Sequence, residues 1–186
     1  MRARRAGQSL LLLLDVVEFL RKAEIDNLVI GAVAAAAHGA VRATTDADAV
    51  VSLSVSEMAQ LERSLRKAGF ATELRRGDAD DPIPSVVAVA DRFGNRVDLL
   101  GGLRGFDPAA FTRAVPFKFK RASLSLVGPE DFVAMKCFAG GPLDLQDAQQ
   151  VLRKNVPPID LDLLRPLTRR YGRDAADNLE KLLAGR

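Results

Sequence analysis

The sequence predicts an α+β protein, in which a mixed, twisted sheet is flanked by helices and followed by a C-terminal helical segment. Three observations support this prediction. Short β-branched runs alternate with segments of helical periodicity up to about residue 127. Phe93-Gly94-Asn95 separates two of these runs and is typical of a hairpin turn. From Pro129 onward, only helical patterns follow. We therefore expect a core over residues 1–127 with a helical segment over 128–186 packed on it.

Each predicted element rests on its local pattern. Apolar residues at helical spacing indicate the amphipathic helices, β-branched runs indicate strands, and glycines end several elements. In the core we expect helices at 9–22, 32–37 and 55–69, and strands at 27–31, 48–53, 71–74, 86–90, 96–100, 115–119 and 122–127. The helical segment is expected to contain helices at 129–138, 144–152, 160–170 and 173–183.

Composition narrows the class of protein. The chain has 186 residues, of which 48% are apolar, which suits a single globular unit with a sizeable core. Its net charge of +3 permits contact with a polyanion without requiring it. A single cysteine, Cys137, excludes an internal disulfide and fits a reducing cytoplasm. Charges follow the apolar run Leu10 to Leu14 too soon for a membrane span of about 20 residues, so we predict a buried helix there and no membrane partner.

Three aspartates form the candidate active site. Asp46 and Asp48 are two residues apart, so their side chains point to one face of a strand. Asp98 lies in a later strand that could bring its carboxylate to the same edge. Carboxylate oxygens suit Mg²⁺, and three of them could hold two ions that bridge the attacking and leaving oxygens of a phosphoryl displacement. The alternative for an Asp-x-Asp pair is a solvated turn, but the apolar Val50 and Val51 favour a buried strand instead.

Gly31 ends the strand that precedes these acids. Glycine has no side chain, so a phosphate could approach backbone N–H groups where the next helix begins near Ala32. A glycine at the end of a strand is weak evidence when it stands alone.

The ordered set of these residues resembles the nucleotidyltransferases of the DNA polymerase beta superfamily. It is most similar to the minimal members related to abortive-infection toxins, over about residues 27–153. Their pattern is a glycine motif, a helix, Arg-x-Thr, Asp-x-Asp and a later strand with a third Asp. It is followed by a proline-headed helix with a lysine and by a segment with paired acids. The matching residues are Gly31, Arg42, Thr44, Asp46, Asp48, Asp98, Lys136, Asp144 and Asp147.

The resemblance implies a function and a role for each matching residue. The enzyme would use Mg²⁺, or Mn²⁺, to move a nucleoside monophosphate from a nucleoside triphosphate such as ATP to an acceptor hydroxyl of RNA or tRNA, a protein or a small molecule. Asp46, Asp48 and Asp98 would be the catalytic metal ligands, and Asp144 and Asp147 would support the site. A cognate antitoxin is an implied partner. The implied nucleotide-binding residues are Gly31, Ala32, Arg42, Thr44 and Lys136.

One departure from the family pattern supports a second hypothesis. The family usually has a small residue and then a hydroxyl side chain after its first glycine, whereas this chain has Ala32 and Val33. Without that hydroxyl, the protein could be a catalytically weakened module that binds a nucleotide or a partner protein.

Several side chains have alternative interpretations. Lys136 could contact a triphosphate or be an ordinary solvated lysine, and Asp144 could orient it or cap a helix. Arg42 could bind a phosphate, pair with Asp46, or be an ordinary surface arginine. His38, the only histidine, is expected to be structural. A basic rim for RNA could comprise Arg63, Arg66, Lys67, Arg75, Arg76, Lys118, Lys120 and Arg121.

Overall fold

The computed structural model describes residues 2–40, 44–78, 80–119, 122–154 and 156–185. Its centre is a seven-stranded sheet. The strands are β1 (Asn27–Val29), β2 (Asp46–Val51), β3 (Ala71–Arg76), β4 (Ser85–Ala90), β5 (Arg96–Gly101), β6 (Val115–Phe119) and β7 (Ala122–Leu126). They lie side by side in the order β3-β4-β5-β2-β1-β7-β6.

Seven helices accompany the sheet in the described residues. They are α1 (Ser9–Lys22), α2 (Gly31–Ala37), α3 (Met58–Lys67), α4 (Pro129–Ala139), α5 (Pro142–Lys154), α6 (Leu161–Arg169) and α7 (Arg173–Ala184). A short 3-10 helix, Pro108–Phe111, was not predicted; its first turn is capped by the Asp107 carboxylate, which accepts a hydrogen bond from the Ala109 N–H.

The α+β prediction is confirmed, and apart from the 3-10 helix the differences lie at element ends. Strand β2 begins at Asp46 rather than at Asp48, so both acids of the pair belong to the strand. Helix α3 begins only at Met58, because residues 54–57 form a turn in which Ser54 donates hydrogen bonds to the Glu57 carboxylate. The division into a core over 1–127 and a helical segment over 128–186 stays a prediction.

The sheet is mixed, and its central pairing places the acids. Strand β2 pairs in parallel with β5 and antiparallel with β1. Strands β4 and β5 form the predicted hairpin, in which Gly94 has a φ of +78°. Strands β6 and β7 form a second hairpin, joined to β1 through β7. Two parallel strands, β2 and β5, therefore run side by side through the middle of the sheet.

Helices cover the two faces of the sheet unequally. Helices α1 and α3 pack on one face, over alternate residues of β2, β4 and β5 such as Ala49, Val87 and Leu99. Helices α4 to α7 pack on the other face, over Leu28 and Val50. This second cover does not extend to β3, where Glu73 and Arg75 point to the second face and are exposed. The second face is thus buried near β1 and open near β3.

Within the described ranges, no helix combines the length and the apolar character needed to cross a membrane. Helix α1 contains the run Leu10 to Leu14 and is 14 residues long. Its inner side chains, including Leu12, Leu13, Val16 and Leu20, are fully buried against the sheet. The prediction of a buried helix here is confirmed.

Candidate active site

The pairing of β2 with β5 brings two of the three predicted aspartates together. Asp48 lies directly beside Asp98 in the parallel register, and Asp46 lies beside Arg96. Neighbouring residues in register point to the same face of a sheet, so all four side chains share the second face. Asp46 is exposed, whereas Asp48 and Asp98 are half-buried.

Gly31 is in contact with this group through Asp48. Its φ is +61°, a left-handed conformation that favours glycine. A Cβ atom at this position would lie 2.3 Å from Oδ2 of Asp48. The missing side chain therefore makes room for the Asp48 carboxylate. The sequence had suggested room for a phosphate, and the structure adds that one of the acids closely adjoins this position.

Two arginines hold Asp98. Arg96 donates hydrogen bonds from Nε and Nη2 to the two oxygens of the Asp98 carboxylate, both at 2.9 Å. Arg75, on β3, donates from Nη2 to Oδ2 of Asp98 at 3.1 Å. The hydrogen bonds from Arg96 to Asp98, followed by the attraction between their charges, raise the pKa of Arg96. Arg75 had been predicted only as part of a basic rim, and Arg96 had been missed.

Two threonines organise the start of β2. The Thr45 hydroxyl donates a hydrogen bond to the Asp46 carboxylate. The Thr44 hydroxyl accepts one from the Asp46 N–H at 3.3 Å, which places Thr44 beside the acid pair. In the part of the chain that the structure describes, no three Asp, Glu, His or Cys side chains are grouped closely enough to hold a metal ion. The three aspartates are therefore neighbours on one face without forming a closed ligand cage.

Lys136 is buried and paired with the predicted supporting acids. Its side chain is 11% exposed, and its Nζ lies 2.6 Å from Oδ1 of Asp144 and 3.1 Å from Oδ2 of Asp147. The ammonium also lies 5.6 Å from the ring centroid of Phe132. Of the two interpretations, the solvated lysine is wrong. This burial follows from the packing of α5, α6 and α7 on α4.

A cavity of about 340 Å³ connects Lys136 with Gly31. Apolar side chains make most of its wall, and Lys136 and Asp144 supply charged groups. Its other lining residues include Ile30, Leu100, Phe132, Met135, Phe138 and Tyr171. Tyr171 stacks on Phe138 with 4.9 Å between ring centroids, and burial raises the pKa of its hydroxyl. Two of the lining residues adjoin the acids of the site: Leu100 lies two residues from Asp98 on the same face of β5, and Gly31 adjoins Asp48.

Buried polar residues that sequence reasoning missed fix the strand starts. Ser9 donates from its hydroxyl to the Thr45 carbonyl and accepts from the Arg96 N–H at 3.1 Å. Asn95 is 1% exposed and donates from Nδ2 to the carbonyl of Arg5 at 2.9 Å. Ser9 thus ties β2 to β5 at the site. A serine opening a helix and an asparagine in a turn are too common to indicate this role from sequence.

The remaining predicted side chains have separate positions. His38 is buried, and its Nε2 lies 2.8 Å from the Val127 carbonyl; because a carbonyl only accepts, the ring nitrogen donates, and the structural role is confirmed. Arg42, Lys120 and Arg121 lie outside the described residues. The basic rim is not one surface, since Arg63, Arg66 and Lys67 belong to α3, on the face opposite Arg75.

Comparisons with known proteins define the fold. No protein-family model matches the chain, and no curated protein matches it. An antigenic nucleotidyltransferase-like protein from Paracoccidioides brasiliensis superposes with a TM-score of 0.60 at 17% identity, covering 99% of this chain and 91% of that one. The solution structure of the antibiotic-resistance factor ANT(2″)-Ia superposes with a TM-score of 0.51 at 13% identity, covering 96% of this chain and 90% of that one. Its complex with adenylyl-2″-tobramycin gives a TM-score of 0.50 at 13% identity, covering 96% and 95%.

These likenesses show the fold alone. The chain has a nucleotidyltransferase fold, as its sequence motifs predicted. The narrower resemblance to abortive-infection toxins, the cognate antitoxin and the cytoplasmic location stay predictions.

Proposed function

We propose that the protein is a magnesium-dependent nucleotidyltransferase. It transfers a nucleoside monophosphate from a nucleoside triphosphate to an acceptor hydroxyl and releases pyrophosphate. The observation that carries the proposal is the register of β2 and β5, which sets Asp48 beside Asp98 on one face while Gly31 adjoins Asp48. This combination, in a nucleotidyltransferase fold, supports phosphoryl chemistry more directly than any one residue does.

The residues fit Mg²⁺ by their chemistry. Asp46 and Asp48 supply hard carboxylate oxygens at the strand start, where Asp46 is open to solvent and to substrate. Asp98 would join them by exchanging a guanidinium partner for the ion. Manganese, which also takes carboxylate ligands, would serve as a substitute. When bound, the metal supplies a positive charge that polarises the phosphate and favours the developing charge on the leaving oxygen.

The protein's own residues would orient the reactants. Gly31 and Ala32 would let the triphosphate pass close to the backbone, and Thr44 lines a second cavity together with Ala32 and Asp46. Lys136 lines the same cavity as Gly31, is held in place by Asp144 and Asp147, and would offer its ammonium to the triphosphate. Arg42 is proposed as a further phosphate contact on the sequence motif alone.

The reaction requires one proton transfer. The acceptor oxygen forms a bond to the α-phosphorus while the bond to the bridging oxygen of pyrophosphate breaks. The hydroxyl proton passes to the Asp98 carboxylate, which therefore must leave at least one arginine as the substrates bind. Asp46 and Asp48 would hold the metal, and its positive charge would attract the α-phosphate.

A labelling experiment tests the proposal. The protein is incubated with Mg²⁺ and each α-³²P-labelled nucleoside triphosphate, together with an RNA, a protein or a small polyol as acceptor. We expect labelled acceptor with the natural chain and none with the Asp46→Ala/Asp48→Ala variant. Asp177→Ala is the matched control, because Asp177 is an exposed acid on α7. Equal labelling by the natural chain and the double variant would refute the mechanism.

A second function is a nucleotide- or partner-binding module without turnover. Two observations favour it: no hydroxyl side chain follows Gly31 in α2, and both oxygens of Asp98 already accept hydrogen bonds from arginines. Calorimetric titration with Mg²⁺ and a triphosphate discriminates between the two functions. Tight binding without product for any acceptor supports the module, whereas product formation excludes it.

A further inference from the structure

We propose that Arg75 and Arg96 bind a phosphate group of the acceptor, so that the acceptor is a phosphate-bearing molecule of the polynucleotide type. This inference rests on the proposed function, because it assigns the second substrate of the same site. In the free protein, Asp98 accepts hydrogen bonds from the two guanidiniums. When the Asp98 carboxylate instead binds the metal and the acceptor hydroxyl, the guanidiniums would become available to the phosphate.

The sheet order places the arginines on the acceptor side. Gly31 follows β1, whereas Arg75 belongs to β3 and Arg96 to β5. Asp48, on β2, lies between Gly31 and these strands, and its neighbour Asp98 shares β5 with Arg96. In an in-line displacement the attacking and leaving oxygens are on opposite sides of the reacting phosphorus. With pyrophosphate leaving on the Gly31 side, the attacking hydroxyl enters from the side of the arginines.

The arginine side is open to a large molecule. The side chain of Arg75 is 44% exposed and that of Arg96 is 42% exposed, whereas Asp98 between them is 20% exposed. Along β3, Ala71, Glu73 and Arg75 all point to this face and are exposed. Helices α4 to α7 cover this face over β1 and β2 and over Leu100 of β5, whereas the face of β3 is exposed. An extended chain could therefore lie across β3 to β5 and reach Asp98.

Guanidinium groups are suited to this exchange. A guanidinium presents several N–H donors in one plane and binds phosphate oxygens in the same two-pronged way that it binds a carboxylate. Arg96 already uses Nε and Nη2 together on Asp98. A phosphate would accept from the same nitrogens. Because the pairs are half exposed, water screens their charges and little free energy is lost when they break.

Acidic neighbours limit the attraction and provide a test of it. Asp46 and Glu73 both interact electrostatically with Arg96. Glu73 also lies in register with Asp98, through Ala88 of β4. It faces the region where the acceptor phosphate would bind. Removing its charge should strengthen acceptor binding, whereas removing the arginines should weaken it.

Binding of a fluorescein-labelled single-stranded RNA with a free 3′-hydroxyl tests the inference. Fluorescence anisotropy is measured with Mg²⁺ over a range of salt concentrations. For Arg75→Gln/Arg96→Gln we expect about tenfold weaker binding, with a salt slope smaller by about 0.7 for each lost phosphate contact. Glu73→Gln should bind more tightly than the natural chain. Arg76→Gln is the matched control, since Arg76 is exposed on the same strand but points to the opposite face, and it should leave the slope nearly unchanged.

Two further measurements separate this inference from the proposed function. Affinity for a non-hydrolysable triphosphate is measured by calorimetry, and we expect no loss of it in the arginine variant relative to the natural chain, because the arginines compete with the ion for Asp98. A loss of triphosphate affinity with unchanged RNA binding would overturn the inference, because the arginines would then serve the donor. Equal transfer to a phosphate-free acceptor by both proteins, with unchanged RNA affinity, would also overturn it while leaving the transferase function intact. Arginine-dependent RNA binding without transfer would support the inference and count against turnover.

Discussion

Replacing Gly31 with alanine should have two separate effects: a loss of stability from the backbone conformation and a loss of ligand affinity at the active site. The left-handed φ of +61° costs an alanine about 1–2 kcal/mol relative to glycine. For a chain of this size, each kcal/mol lowers the melting temperature by about 2–4 °C, so we expect a decrease of about 2–8 °C. The new Cβ would also lie 2.3 Å from Oδ2 and 3.2 Å from Cγ of Asp48, so the carboxylate must move. A displaced Asp48 should weaken the joint binding of Mg²⁺ and triphosphate by more than about tenfold.

Gly94→Ala is the matched control for this experiment. Gly94 has a φ of +78°, and a Cβ there would meet nothing within 4 Å. It therefore carries a comparable backbone cost without contact with Asp48. Thermal melts should show a similar decrease for both variants, and calorimetric titration with Mg²⁺ and a non-hydrolysable triphosphate should show a loss only for Gly31→Ala. Natural affinity in Gly31→Ala, or equal loss in both variants, would refute the assignment of Gly31 and Asp48 to the site.

Three other predictions concern buried groups. Lys136→Met removes the ammonium that pairs with the buried Asp147 carboxylate and should lower the free energy of unfolding by roughly 3–5 kcal/mol. Adding Asp147→Leu should recover part of this loss in urea denaturation, and no recovery would contradict the pairing. Burial lowers the pKa of His38 from its ordinary value of 6.5, so the contribution of the neutral ring to the free energy of unfolding is full above pH 6.5 and is lost as the pH falls below it. The melting temperature of His38→Gln should therefore decrease less at low pH, and parallel curves for the two proteins would exclude His38 as the cause. Burial raises the pKa of Cys137 to about 12, so a thiol reagent at pH 8 should label it only in denaturant, and rapid labelling of the folded chain would show that it is accessible.

The sequence predicted the order of the elements because their signals are local. Helical spacing of apolar residues placed α1 and α4 to within about a residue, and the turn at Gly94 predicted the β4–β5 hairpin. The 3-10 helix at Pro108–Phe111 escaped because it is too short for a periodic signal. The late start of α3 depends on hydrogen bonds from Ser54 to Glu57, which a hydrophobic pattern does not reveal.

For the candidate site, the sequence by itself determined which groups are available: carboxylates at Asp46 and Asp48 on one side of a strand, and a glycine before them. Only the tertiary structure decided what each group contacts. The parallel register of β2 and β5 set Asp98 beside Asp48, and the next strands of the sheet brought Arg75 to Asp98 from 23 residues away in the chain. The physical reason is that strand patterns specify which face a side chain points to, whereas its neighbours on that face depend on strand order and register, which are set by the packing of the whole core.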